Sequence, residues 1–81
     1  MNEDFIPLNI LPIGSFGKVK KITAEGKIRR RMMDLGLIPD TKVESLRKSP
    51  SGDPIAYEIR GAVIALRSEE ASKILVEVIE E

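Results

Sequence analysis

The stretch Ser49-Pro50-Ser51-Gly52-Asp53-Pro54 is the clearest turn signal in this chain. It separates two runs of strand length. The first, residues 41–48, reads Thr-Lys-Val-Glu-Ser-Leu-Arg-Lys. In the second, residues 55–60, Ile55, Tyr57 and Ile59 fall on one face and Ala56, Glu58 and Arg60 on the other. Gly61 breaks the alternation, and residues 62–66 (Ala-Val-Ile-Ala-Leu) follow. Being apolar at every position, they are predicted to form a central, buried strand. An earlier short strand is expected at residues 18–22, with Val19 and Ile22 inward. That spacing breaks strict alternation and predicts a bulge or an early end to the strand. A last strand is expected at residues 75–79. Before the first strand, two prolines and two glycines among apolar residues (7–17) predict an irregular approach, and residues 1 to 6 are expected to be loose.

Two helical segments interrupt this pattern. In residues 26–36, Ile28, Met32 and Leu35 recur at i, i+4 and i+7 and form one apolar stripe. Gly36 is placed to adopt the left-handed conformation that ends a helix, with Leu37 closing against Met32, and Pro39 prevents continuation. Asp34 lies unfavourably in the last turn, where an ion pair with Arg30 would offset the helix dipole. Residues 67–74 predict a helical turn with Ser68 as N-cap and Glu69 and Glu70 at its favourable end. About five short antiparallel strands in 81 residues are too few for two full sheets. A single, mainly β domain is therefore expected, a small closed or nearly closed barrel with a helix after the first strand.

Composition excludes several kinds of chemistry. The chain has no cysteine and no histidine, which removes disulfides, zinc sites of the usual nitrogen and sulfur kind, and Ser-His-Asp or Cys-His catalysis. Oxygen-only metal binding remains, but Asp53 and Glu58 do not make a dense acidic loop, and no metal site or cofactor is expected. No run approaches the roughly 20 apolar residues of a membrane-spanning helix. The acidic amino terminus lacks a signal pattern, so a cytoplasmic location is expected. Residues 14–19, Gly-Ser-Phe-Gly-Lys-Val, look like half of a kinase glycine loop, but the first glycine of that pattern would be Pro12.

Formal net charge is zero, yet residues 18–31 balance at +6 and residues 68–81 at −4. Either the basic segment is a surface for an acidic partner, or the two segments face each other. Arg29, Arg30 and Arg31 span about 200° of helix and cannot point one way. A groove-reading helix would aim its polar side chains together. With three aromatic residues (Phe5, Phe16, Tyr57), a base-stacking platform is also poorly supplied. The expected result is a structural helix with a basic rim.

Residues 8–78, and above all Arg29–Pro39, the Gly-Asp-Pro-Ile at 52–55 and the Ala-Leu-Arg at 65–67, resemble the FeoA family in order and spacing. These are small cytoplasmic components of bacterial ferrous iron uptake. Asp40 stands where the family commonly has glycine. The resemblance implies an SH3-like barrel, similar also to the carboxy-terminal domain of iron-dependent repressors. It implies a non-enzymatic adaptor that works with the membrane iron transporter FeoB, and it brings no catalytic residues. On this reading the contact candidates are Lys27, Arg29, Arg30 and Arg31, with Met33 and Leu37 beside them, and Asp53 in the turn. Gly36, Pro39, Gly52, Pro54 and Gly61 are expected to be structural. A monomer that does not insert into membranes and does not bind nucleic acid is expected. The alternative is a nucleic-acid-binding or regulatory barrel using the basic 18–31 segment.

Overall fold

A computed structural model describes residues 5–80 of the chain. The expected looseness of residues 1 to 4 concerns positions outside the described residues, as does Glu81 of the acidic end. One antiparallel sheet holds six strands: β1 (Phe5–Pro7), β2 (Phe16–Ile22), β3 (Lys42–Lys48), β4 (Ile55–Ile59), β5 (Ala62–Leu66) and β6 (Ile74–Ile79). Their order across the sheet is β1-β6-β2-β3-β4-β5. Helix α1 (Gly26–Asp34) follows β2, and the single turn α2 (Ser68–Ala71) precedes β6. The architecture is mainly β, as the turn spacing predicts. The extra strand is β1, in the segment expected to be loose or irregular: Phe5 to Pro7 pair with Glu77 to Leu75. A 3-10 turn (Leu8–Ile10) then carries Leu8 into the core.

The sheet buries one face. Tyr57 and Ile59 are essentially inaccessible, as are Val19, Met32, Leu37, Val43, Leu66, Ile74 and Val76, and all belong to one core cluster. The irregular spacing of Val19 and Ile22 is resolved by a register shift between Val19 and Lys21, which turns both residues inward. The Tyr57 hydroxyl donates to the Leu8 carbonyl at 3.3 Å, tying a strand near one end of the sheet to the turn that follows the other end. Burial pushes this phenol up to about 12, with the negative charge of Asp53 adding to the effect, so it remains a neutral donor.

Residues 62–66 depart from expectation. They form an edge strand, not a central one, and Val63 is 58% exposed. Apolar composition on both faces does not distinguish a buried strand from an exposed edge, because it carries no record of which neighbours pair. The turn into this strand, Arg60-Gly61, has φ of +52° and +85° at its two central residues, the arrangement that matches the twist of a two-residue hairpin.

Helix α1 ends as expected. Gly36 has φ +102°, and the Leu37 and Gly36 N–H groups donate to the Met32 and Met33 carbonyls, each at 3.0 Å. The cap buries Leu37 completely. Three details differ. Ile28 is 46% exposed, because the helix starts at Gly26 and its first turn projects past the core beside α2. No Arg30–Asp34 ion pair forms among the described residues. The N-cap of α2 is Arg67 rather than Ser68, since Arg67 keeps an extended backbone. The Ser68 N–H instead donates to Asp53 Oδ1 at 2.7 Å, so a carboxylate from a distant turn caps this helix. Glu70 reaches back to accept from the Arg67 N–H at 3.1 Å. That bond holds the Glu70 carboxyl below its ordinary value against the opposing effect of burial, with Arg31 contributing further.

Three outcomes are expected. Arg60→Asn, which suits positive φ, stabilises by about 0.5 kcal/mol in urea unfolding, whereas Gly61→Ala destabilises by about 1 kcal/mol. Tyr57→Phe costs about 1 kcal/mol, because it removes a buried hydrogen bond, while the Leu8 carbonyl keeps the Leu11 N–H as its other donor. Glu70 titrates lower in the folded chain than in the unfolded one, so its contribution is complete above the unfolded value and disappears as pH falls through the folded one. Because Glu70 is largely exposed, Glu70→Gln costs only about 0.5–1 kcal/mol at neutral pH, and urea curves of the two proteins converge in acid.

Candidate functional site

Helix α1 carries the densest group of functional candidates. Its first turn lacks an acidic residue, and residues 27–31 are all exposed. Met32 anchors the helix in the core, and the other side chains diverge around it. Arg29 lies back along the sheet and donates to the Ile22 carbonyl at 3.2 Å. Arg31 points the other way and donates to Glu70 Oε2, joining α1 to α2 as an ion pair. Lys27 and Arg30 make no hydrogen bond or ion pair among the described residues. Gly26, Arg29, Arg30, Met33 and Asp34 line a shallow concavity of about 560 Å³. Met33 is 41% exposed there, an apolar centre with cations around it.

The sequence candidates are therefore only partly brought together. Arg29, Arg30 and Met33 share one concavity, and Lys27 is exposed on the same helix outside its lining. Arg31 is engaged with α2. Leu37, offered as a contact residue, is fully buried, because the cap that ends α1 folds it inward. Asp53 is part of the internal scaffold of the turn: besides capping α2, it lies 3.8 Å from Arg67. Its backbone carbonyl accepts from the Ser49 and Ser51 hydroxyls, and a cis peptide bond joins it to Pro54. Gly52 sits in that turn at φ +93°. Asp34, on the rim of the concavity, and Glu70, which holds Arg31, were not singled out as site residues. The Arg31–Glu70 contact joins positions 39 residues apart, and no local pattern announces it.

The charge asymmetry of the sequence is largely settled inside the sheet. Strands β2 and β6 pair, placing Lys18 opposite Glu77. Lys20 Nζ lies 3.4 Å from Glu77 and 3.8 Å from Asp40. The basic and acidic segments thus face each other, at β2–β6 and again at Arg31–Glu70, leaving Lys27, Arg29 and Arg30 of α1 without an ion pair among the described residues. A larger groove, about 660 Å³, lies between Phe16, Lys42, Glu44, Glu58 and Arg60. It mixes both signs of charge, and the Lys42 ammonium sits 5.0 Å over the Phe16 ring. Among the described residues, no group of three or more His, Cys, Asp or Glu side chains is placed to hold a metal ion. No helix is long and apolar enough to cross a membrane.

Comparison with known proteins gives this geometry a context. A family model described as the FeoA domain matches residues 6–78. The solution structure of a FeoA-like protein from Clostridium acetobutylicum is 44% identical and superposes with a TM-score of 0.88, covering 100% of this chain and 93% of that one. A zinc complex of Stenotrophomonas maltophilia FeoA is 28% identical with a TM-score of 0.78, covering 86% of this chain and 87% of that one. It is described as a prokaryotic SH3 domain protein, suggested to act as an activating factor in ferrous iron transport. The fold is thus SH3-like. It recurs in a manganese-dependent transcriptional repressor at 22% identity and a TM-score of 0.86, covering 98% of this chain and 44% of that one, a likeness of fold alone. A Porphyromonas gingivalis protein in which Fe(2+) transport protein A is fused to the transporter FeoB is 29% identical over 72 residues. That match covers 89% of this chain, which spans only 8% of the length of that relative. Asp40 adopts φ +72°, a conformation that glycine adopts most readily. With a family model matching residues 6–78 and the same sheet and helices in its solved relatives, this chain belongs to the FeoA family.

Proposed function

We propose that this chain is a non-enzymatic accessory protein of ferrous iron uptake. In this reading it docks on the cytoplasmic side of the iron transporter FeoB through the outer face of α1 and modulates the transporter. The observation that carries the reading is the fused relative, in which an equivalent domain and the transporter share one chain. Fusion holds two modules at high effective concentration, which is useful where they act together. Met33 as an exposed apolar centre with Arg29 and Arg30 beside it, and Lys27 exposed on the same helix, supports this contact. Such a centre with a charged rim is how compact interfaces are built. The absence of histidine and cysteine leaves few means of catalysis, in keeping with an adaptor that needs no cofactor. The nucleic-acid alternative loses support, because Glu77 and Asp40 answer the lysines of β2.

An amide-resolved NMR titration with the soluble G-protein domain of FeoB, with and without guanine nucleotide, tests this reading. Shifts are expected at residues 26–34. The double variant Lys27→Glu/Arg30→Glu should weaken binding about tenfold or more. Its stability should stay within about 0.5 kcal/mol, since both side chains are exposed and unpaired among the described residues. Arg31→Gln should bind as the unmodified protein does. Unchanged binding by the folded double variant would overturn the assignment of α1.

A further inference from the structure

The two ends of the sheet are built differently. Strand β1 is three residues long and finishes on Pro7, two devices that discourage a further strand. Strand β5 has five residues, keeps regular register with β4, and contains no proline, charge or bulge. Its first four side chains are small or β-branched, and Ala62, Val63 and Ala65 are exposed. Because the Arg60-Gly61 loop has two residues, Ile59 and Ala62 are the pair that exchange both ladder hydrogen bonds. The inward-bonding positions on β5 are then 62, 64 and 66. Val63 and Ala65 direct their N–H and C=O groups away from the sheet, and no further backbone hydrogen bond occupies them among the described residues.

Charge states what kind of strand fits this edge. Arg60 is exposed at the start of β5, and Arg67 stands at its end with 71% of its side chain accessible. A second copy pairing antiparallel through β5 would set Arg60 of each copy near Arg67 of the other, which is repulsive. Asp53 is committed to the Ser68 N–H and lies 3.8 Å from Arg67 itself, a loose, solvent-exposed pair that an incoming carboxylate can replace, while Glu70 is committed to the Arg67 N–H and Arg31. Glu58 lies one strand inside, opposite Val63.

We propose that the β5 edge is a docking site for an extended peptide segment of a partner protein, apolar at its centre and acidic at both ends, added as a seventh strand. Backbone bonds at Val63 and Ala65 supply the pairing, and Arg60 and Arg67 select the acidic ends. This reading does not rest on the assignment of α1 as a contact.

The test uses the full chain and a blocked synthetic peptide, Glu-Val-Thr-Val-Thr-Val-Glu, with a lysine-ended peptide of the same centre as control. Fluorescence anisotropy should show tighter binding of the acidic-ended peptide, by about fivefold or more at low salt. Amide exchange at Val63 and Ala65 should slow when it binds. Ala65→Pro removes one outward N–H without breaking a ladder bond and should weaken binding about tenfold. Val63→Lys, a substitution at an exposed position, is the second block should the proline variant not fold. Arg60→Glu/Arg67→Glu should reverse the preference between the two peptides. Equal binding by a folded blocked variant, or no binding at millimolar peptide, would overturn the proposal. So would a dimer in sedimentation that Ala65→Pro dissolves, since a second copy would then be the occupant.

Discussion

The architecture turns on Tyr57. Its ring is fully buried in β4, and its hydroxyl bonds to the Leu8 carbonyl in the 3-10 turn after β1. A six-stranded sheet has one face to bury and, in a chain this short without disulfides, no second sheet to bury it against. The sheet must therefore wrap around its own apolar residues, and the Tyr57–Leu8 bond joins its two halves where they meet. It also satisfies the buried tyrosine hydroxyl, which would otherwise count against folding, on a carbonyl that the Leu11 N–H also reaches.

Helices α1 and α2 close what the sheet leaves open. Met32 and Leu37 enter the core from α1 and its cap, and Ala71 from α2. The two helices are linked by Arg31 and Glu70, and α2 is held to the β3–β4 turn by Asp53. These polar contacts are largely exposed, so each contributes little by itself. Their effect is positional: they set where the outer face of α1 lies relative to the sheet, and so where Lys27, Arg30 and Met33 are presented.

Charge is distributed with the same economy. A chain of zero formal charge carries a strongly basic and a strongly acidic segment, and the pairing of β2 with β6 brings them together. What remains outside that compensation is local: the rim of α1, and the two arginines that bracket β5. Each lies beside exposed apolar residues, Met33 in one case and Val63 in the other. The fold thus presents two surfaces of different geometry, one helical and one an open sheet edge.

Much of this was legible in the linear order of residues, for local reasons. The alternation at 55–59, the bulge before Ile22 and the glycine cap after α1 depend on neighbours within a few positions, and each formed as read. The divergence of the three arginines followed from helix geometry alone. The motif at residues 29–39 also placed the chain in its family. What the sequence could not convey was which distant residues meet. The cap buries Leu37, and two other candidates, Asp53 and Arg31, are tied to partners within the chain while staying at the surface. The position of residues 62–66 at an edge depended on the order of strands, which periodicity does not encode. Residue pattern determined the elements and their inward faces, because those follow from local backbone and side-chain geometry. Tertiary structure alone decided which charges are neutralised and which apolar residues stay exposed, because both depend on contacts between segments far apart in the chain.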